Sequence, residues 1–590
     1  MKNFKPIVAV LLIGLALSAC KKDKKGTNSG DNSSGNNLDD GVVVTTTGPV
    51  VTPTDAPIAK TQGFWLDDWQ PKSFTAPGTT DAAKPTANIM ATVSIDLTSV
   101  LTKVSRYVYG NNANPYIGQL SAQPALITHL NNLAPHIIRG PGGSLSDVYF
   151  WNADYNQMPA DVPPTLLNDQ GKAGNANPYW YGRNNQSWNG GLDDYYSLLQ
   201  QTGSTGILTV NYAYARYGTS DHPVQAAAHL AAQWVRYDKG RTRYWEVGNE
   251  CYGNWEASYR IDVSKNKDGQ PAIITGTLYG QHFKVFADSM RKAAADVGAT
   301  IKIGAVLVES SITQSSEVPN WDRDVLAATG NYPDFFIVHN YYTPYSQQSN
   351  VAQILSTPAP ATQSMADWMK TLASNAGIDT KPIALTEWNI QALDLKQQVS
   401  NIAGLHAVMT IGEIIRNQFG EASRWDLANS WSSGNDQGLF SPGDEPDNTP
   451  MWTPRPAFYY MYYFQKFFGD RMVPSTVGLS ADIQSYASSF SSGEAGVVLV
   501  NTSNADQVAK ITLKNFNPGD KYYYYSLQGG TEDKNGFSRK VYINGQGPTI
   551  SNGGPANYAS IPANSSAISG GIKVTVPGYG AVFVVISNKK

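Results

Sequence analysis

Between about residues 106 and 470, short apolar runs alternate with longer stretches whose apolar positions recur every three or four residues. The runs at 106–110, 136–139, 206–211, 244–249, 301–305, 335–339, 383–386 and 423–427 read as strands. Helical spacing links Phe283, Phe286 and Met290, and again Ile402, Leu405, Val408, Ile411 and Ile415. Residues 226–235, 365–372 and 455–468 also read as helices, the last closing the series. Strands that alternate with helices predict parallel pairing through right-handed crossovers. Eight such units predict an α/β fold of the (β/α)8 TIM-barrel type. An open doubly wound sheet is the alternative, although no Gly-rich dinucleotide turn follows the first strand.

The texture changes after residue 471. Runs at 493–500, 510–513, 522–527 and 580–586 are β-rich and broken by Gly, Asn and Pro, which predicts a C-terminal antiparallel β-sandwich over 471–590. Residues 87–104 alternate in the same manner, so the N-terminal segment 63–105 is expected to join that sandwich in part. Before it, residues 21–62 are dominated by Gly, Ser, Asn, Thr, Asp and Pro and predict a flexible linker.

The first twenty residues carry an export pattern: Lys2 and Lys5, an apolar stretch from Ile7 to Leu17, then Leu17-Ser18-Ala19-Cys20. The apolar stretch is short for a membrane span. It resembles the lipobox of bacterial lipoproteins, which implies lipidation at Cys20 and an exported protein held at the outer membrane by lipid alone. An ordinary cleaved signal with an incidental cysteine is the alternative. With Cys20 lipidated, Cys251 alone remains, and no disulfide within the chain is expected.

Composition narrows the chemistry. The 590 residues hold 44 Lys plus Arg against 47 Asp plus Glu, a net charge of −3 that does not suit nucleic-acid binding. Only 15% of residues are charged while 11% are aromatic, with 14 Trp and 33 Tyr. Neutral glycans present ring faces rather than charge, so this balance suits a polysaccharide or oligosaccharide partner. No His/Asp/Glu cluster has metal-ligand spacing and no phosphate loop is present, so no metal and no cofactor are expected.

Two segments concentrate the chemistry, Tyr244-Trp245-Glu246-Val247-Gly248-Asn249-Glu250 and Ile383-Ala384-Leu385-Thr386-Glu387-Trp388-Asn389. Each brings a glutamate to the end of a predicted strand, the fourth and the seventh. In a (β/α)8 barrel those ends open on one face, where reactive groups gather. Two facing carboxyl groups roughly 5 Å apart are what a retaining glycosidase uses. Arg139 at the end of the second strand reads as a substrate contact, an orienter of Glu387 or an ion-pair partner. Asn211 and Tyr214 after the third strand, and Trp388 and Trp431 after the seventh and eighth, read as sugar contacts or as core packing. His339, ending the sixth strand, reads as a substrate contact or a core histidine.

Trp245-Glu246-Val247-Gly248-Asn249-Glu250, Glu387-Trp388-Asn389 and the turn Arg139-Gly140-Pro141-Gly142-Gly143 resemble clan A of the glycoside hydrolases, most of all family 51. That family contains α-L-arabinofuranosidases and some endoglucanases. The resemblance implies a retaining hydrolase working through a covalent glycosyl-enzyme, with Glu250 as acid/base and Glu387 as nucleophile. It further implies that Asn249 meets the sugar 2-hydroxyl and that Tyr341 hydrogen-bonds the nucleophile. Gly140, Ser144 and Thr386 depart from the family pattern, which leaves arabinofuranose specificity open and keeps families 30, 39 and 44 in view. A clan A endo-β-glycanase and a non-catalytic glycan-binding surface lipoprotein are the alternative functions.

Overall fold

The computed structural model describes residues 53–310, 318–393, 395–432, 434 and 436–589. Cys20, the export segment and most of the expected linker lie outside the described residues. Eight parallel strands close into a barrel: β1 (Gly110–Asn112), β2 (Ile137–Gly140), β3 (Thr205–Val210), β4 (Tyr244–Val247), β5 (Lys302–Val306), β6 (Phe335–Asn340), β7 (Ile383–Trp388) and β8 (Glu421–Arg424). Each strand pairs with its neighbours in chain order, and β8 pairs with β1 to complete the ring. Helices including Pro223–Asp238, Gly276–Asp296, Pro358–Asn375, Asn401–Arg416 and Pro456–Phe467 alternate with the strands.

The first strand differs from its expected place. Arg106–Tyr109 form a 3-10 turn, whose start is fixed by Ser105 accepting a hydrogen bond from the Tyr107 amide. Tyr107, Val108 and Tyr109 are buried in consecutive positions, which turn geometry permits and a half-buried strand does not. The strand itself begins at Gly110.

Below the barrel, Trp65 is buried and its ring packs on Tyr107, Tyr244 and Phe335. The backbone of Thr61 accepts a hydrogen bond from the Ile383 amide. Thr61 and Gln62, the last residues of the expected linker, are therefore buried, so packed structure begins before residue 63.

After the barrel come two sheets. One has nine strands, with Pro518–Gly529, Gly580–Asn588, Ala495–Asn501 and Ile483–Ser489 adjacent at its centre; the other has four, Ser475–Gly478, Ala91–Asp96, Gln507–Lys514 and Ile572–Val576. Val93, Ile95, Ile511 and Val574 share one apolar core with Val497, Leu499, Val582 and Val584 of the larger sheet. Most pairings are antiparallel, but Ala91–Asp96 runs parallel to Gln507–Lys514, and Thr79–Asp81 parallel to Ala563–Ala567. Both exceptions involve N-terminal strands that reach the sheets from the far side of the barrel sequence, where no hairpin imposes direction. Among the described residues no helix is long and apolar enough to cross a membrane.

Candidate active site

The turn after β4 places Glu250. Gly248 adopts φ +82°, and a Cβ there would lie 2.5 Å from the Cys251 sulfur and 2.8 Å from Tyr212 Cβ, so only glycine fits. Glu250 itself has φ +37°, a left-handed backbone that non-glycine residues rarely adopt and that recurs at functional sites. Glu387 sits near the C-terminal end of β7, after a register shift that follows Leu385. One carboxylate oxygen each from Glu250 and Glu387 and one ring nitrogen of His339 lie within 4.8 Å of one another.

Arg139, at the end of β2 and wholly buried, ties this group together. Its Nε donates to Glu246 at 2.8 Å and its Nη1 to Glu387 Oε1 at 2.8 Å. Nη1 also reaches Asn112 Oδ1 at 3.2 Å, and Nη2 donates to Asn249 Oδ1 at 2.9 Å. The guanidinium is thus committed to protein acceptors and acts as an orienter. Tyr341 donates to the other oxygen of Glu387 at 2.9 Å. A carboxylate with donors at both oxygens is held in one rotamer.

Glu250 has its own pair of partners. Its Oε1 lies 3.0 Å from His339 Nδ1, and its Oε2 accepts from Trp255 Nε1 at 2.8 Å. Trp255 is 52% exposed, so its ring leans over this carboxylate from the solvent side. His339 Nε2 lies 3.0 Å from Thr386 Oγ1. Burial pushes the Glu250 carboxyl up, but contact with His339, the Trp255 hydrogen bond and the charge of Arg139 together outweigh this and lower it. Burial likewise lowers His339, and the carboxylates of Glu387 and Glu250 more than reverse that. Both shifts share one cause, the close approach of the imidazole to the two carboxylates.

The Gly142-Gly143 turn passes beneath Trp425. Gly143 has φ +65°, and a Cβ there would come 2.6 Å from the indole ring; one at Gly142 would come 2.9 Å from Arg139 Nη1. At Gly140 the space for a side chain is filled by Tyr195, 2.8 Å from an ideal Cβ, which accounts for glycine at that departure from the family pattern. Beside the turn, Tyr116, Gly142 to Leu145, Trp425, Ala428 to Ser430, Pro442 and Asp444 line an open cleft of about 630 Å³.

The remaining expected contacts divide. Trp388 is buried beside Glu387, and its indole N–H has no partner among the described residues. Trp431 lies at the cleft edge with the guanidinium of Arg539 4.6 Å from its ring centroid and that of Arg455 at 5.8 Å. Asn211 and Tyr214 are not brought to the carboxylates. Asn211 donates to Tyr149 O and Tyr217 Oη and caps the Tyr214 amide, while Tyr214 Oη donates to Asp161. Their polar atoms are spent on folding the turn after β3.

Glu246, Trp255 and Glu256 were not singled out from the sequence. A single charged residue inside the buried run Tyr244-Trp245-Glu246-Val247 carried a signal for Glu246, since a buried carboxylate requires a partner. Trp255 and Glu256 sit in a loop whose path no pattern specifies. Glu250, His339 and Glu387 form the one group among the described residues with donors close enough for a metal ion. The Arg139 guanidinium 2.8 Å from Glu387 opposes a cation there. Cys251 is buried, and burial pushes its thiol well above the ordinary value, which leaves it a poor nucleophile.

No family model matches the chain, and no curated protein matches it in sequence. Solved structures do. An α-L-arabinofuranosidase from Thermotoga maritima superposes with a TM-score of 0.57 at 16% identity, over 84% of this chain and 99% of that one. A family 51 arabinofuranosidase from Xanthomonas axonopodis pv. citri gives 0.56 at 15% identity, over 85% and 100%. A family 44 xyloglucanase from Paenibacillus polymyxa gives 0.54 at 12% identity, over 84% and 99%. At such identities the likeness establishes a shared fold.

Proposed function

We propose that this protein is a clan A retaining glycoside hydrolase, α-L-arabinofuranosidase-like, acting on polysaccharides or oligosaccharides. The observation that carries the reading is the approach of Glu250 and Glu387 to within 4.8 Å at the mouth of the barrel. Retaining enzymes hold their carboxyl groups about 5 Å apart, whereas inverting ones leave room for a water at roughly 6.5 Å or more.

Glu387, oriented by Arg139 and Tyr341, attacks the anomeric carbon as the glycosidic bond breaks. Glu250 delivers the proton it shares with His339 to the leaving oxygen. A water then displaces Glu387 from the glycosyl-enzyme and returns its proton to Glu250. Asn249 offers an amide N–H to the sugar 2-hydroxyl. An endo-β-glycanase of the same clan is the second reading, favoured by the open cleft that continues beside Trp425.

Turnover on a panel of aryl glycosides and polysaccharides tests this. Glu387→Ala is expected to lose nearly all activity. Glu250→Ala should recover part of its activity with azide on substrates with good leaving groups, because it still forms the glycosyl-enzyme. Binding without turnover by the wild type would favour a glycan-binding protein instead. The export pattern further supports lipidation at Cys20; Cys20→Ser should then move the protein from the membrane fraction to the soluble one.

A further inference from the structure

Behind the reacting carboxylates lies a second acidic pair that the mechanism above does not use. Glu256 is almost fully buried, and its Oε1 accepts from Asn249 Nδ2 at 2.9 Å and from Ser144 Oγ at 2.8 Å. Its Oε2 is buried and meets no hydrogen-bond partner among the described residues. Asp147, wholly buried nearby, interacts strongly with it. The Ser258 hydroxyl and the backbone N–H of Asn249 face Asp147 without reaching hydrogen-bond geometry.

We infer that Glu256 is a positioning residue that fixes the amide of Asn249 in the orientation needed to meet the sugar 2-hydroxyl. This inference rests on the glycosidase reading and deepens it. An asparagine amide has two faces that differ only in donor and acceptor, and its partners decide which is presented. Arg139, a pure donor, holds Oδ1 at 2.9 Å, and Glu256 holds Nδ2 at 2.9 Å. A flipped amide would set Nδ2 against a guanidinium and Oδ1 against a carboxyl oxygen. In the observed orientation one N–H of Nδ2 is used by Glu256, and the second has no protein acceptor among the described residues. That N–H is the donor left over for a sugar hydroxyl.

The charge on Glu256 matters as well. Burial, Asp147 and Glu250 together push its carboxyl well above the ordinary range, against the lowering effect of Ser144 and Asn249. Asp147 itself is raised to about 7 by burial, with Glu250 adding to the rise. The charged or titratable groups that face the pair are Glu250, Cys251, Tyr212, Tyr217 and, through Asn249, Arg139. The upward shift favours the neutral carboxyl, and Oε1, which already accepts from Asn249 and Ser144, is the oxygen that serves as acceptor. Glu256 therefore orients Asn249 without adding a third negative charge beside Glu250 and Glu387. Ser144, which departs from the family pattern, supplies the other donor at Oε1.

The test compares the aryl glycoside the wild type turns over best with its 2-deoxy counterpart. Glu256→Met, which keeps volume but removes the acceptor, is expected to lower kcat/KM on the parent substrate by on the order of 10- to 100-fold. On the 2-deoxy substrate, where the contact does not exist, the loss should vanish. Glu256→Gln, a neutral isostere, should retain activity on both. Equal losses of Glu256→Met on both substrates, or no loss on either, overturn the inference. Should Glu256→Met not fold, Glu256→Ala takes its place on the same two substrates: a loss confined to the parent substrate supports the inference, and an equal loss on both, or no loss on either, overturns it. A wild type that turns over no glycoside overturns the proposed function and this inference with it, and that outcome is distinct from activity without substrate discrimination.

Discussion

At the scale of single residues, the site is a set of charges that hold one another in place. Arg139 is the hinge of that set, because Glu246 and Glu387 both lean on it where burial is nearly complete. Removing a partner from a buried ion pair leaves an uncompensated charge, so Arg139→Met should cost about 3–5 kcal/mol in a denaturant titration. Arg139→Lys keeps the charge but not the fork that reaches Glu246, Glu387 and Asn249 at once. It should fold more stably than Arg139→Met and yet lose most activity. The His339–Glu250 pair makes a different prediction. His339 is raised chiefly by Glu387 against the pull of burial, so Glu387→Gln should lower the imidazole titration followed by NMR. The sign fixes the pH window. A raised histidine contributes stability at acid pH that is lost as pH rises through its folded value. A lowered Glu250 contributes stability that is lost as pH falls through its own. The pair thus stabilises most between the two, and a wild-type imidazole titrating below histidine's ordinary 6.5 would remove the argument.

At the scale of elements, what could be read from the sequence depended on whether the cause was local. The strands that deliver Glu250 and Glu387 are legible because a short apolar run ending on a carboxylate carries its own meaning. Residues 106–109 were not, since a short apolar run alone does not separate a strand from a buried 3-10 turn. Asn211 and Tyr214 follow β3 at the correct face of the barrel, but their partners Tyr149, Tyr217 and Asp161 come from other segments and turn them aside. Gly142-Gly143 shows the same limit from the other direction. The pair is visible as a turn, while its reasons are Arg139 below and Trp425 above, brought together by folding. Gly143→Ala should accordingly cost at least about 1 kcal/mol through its positive φ. It should also push the Trp425 ring, which would lower kcat/KM beyond what the stability loss explains. A crystal structure of the variant with Trp425 unmoved would contradict that second effect.

At the scale of the whole molecule, the sheets after the barrel reach back to the cleft. Arg539, in the segment after Pro518–Gly529, pairs with Glu445 and with Asp447 at 3.1 Å, and its guanidinium covers Trp431. Glu445 is buried and also bonds Arg455 at 2.9 Å, directly before the helix Pro456–Phe467. The loop that carries Trp431 and Asp444 is therefore clamped between the last barrel helix and the sheets. This clamp touches neither β4 nor β7, where the two carboxylates stand. Arg539→Met should thus leave kcat on a small aryl glycoside close to wild type. The loop borders the cleft, however, and a ring that loses the nearer of its two cations is less firmly oriented, so KM for a long glycan should rise. Arg455 remains to hold Glu445, which limits the stability cost to about 1–3 kcal/mol. Steady-state kinetics on a short and a long substrate separate these effects. A fall in kcat on both, with KM unchanged, would mean that the sheets act on the carboxylates rather than on the wall of the cleft.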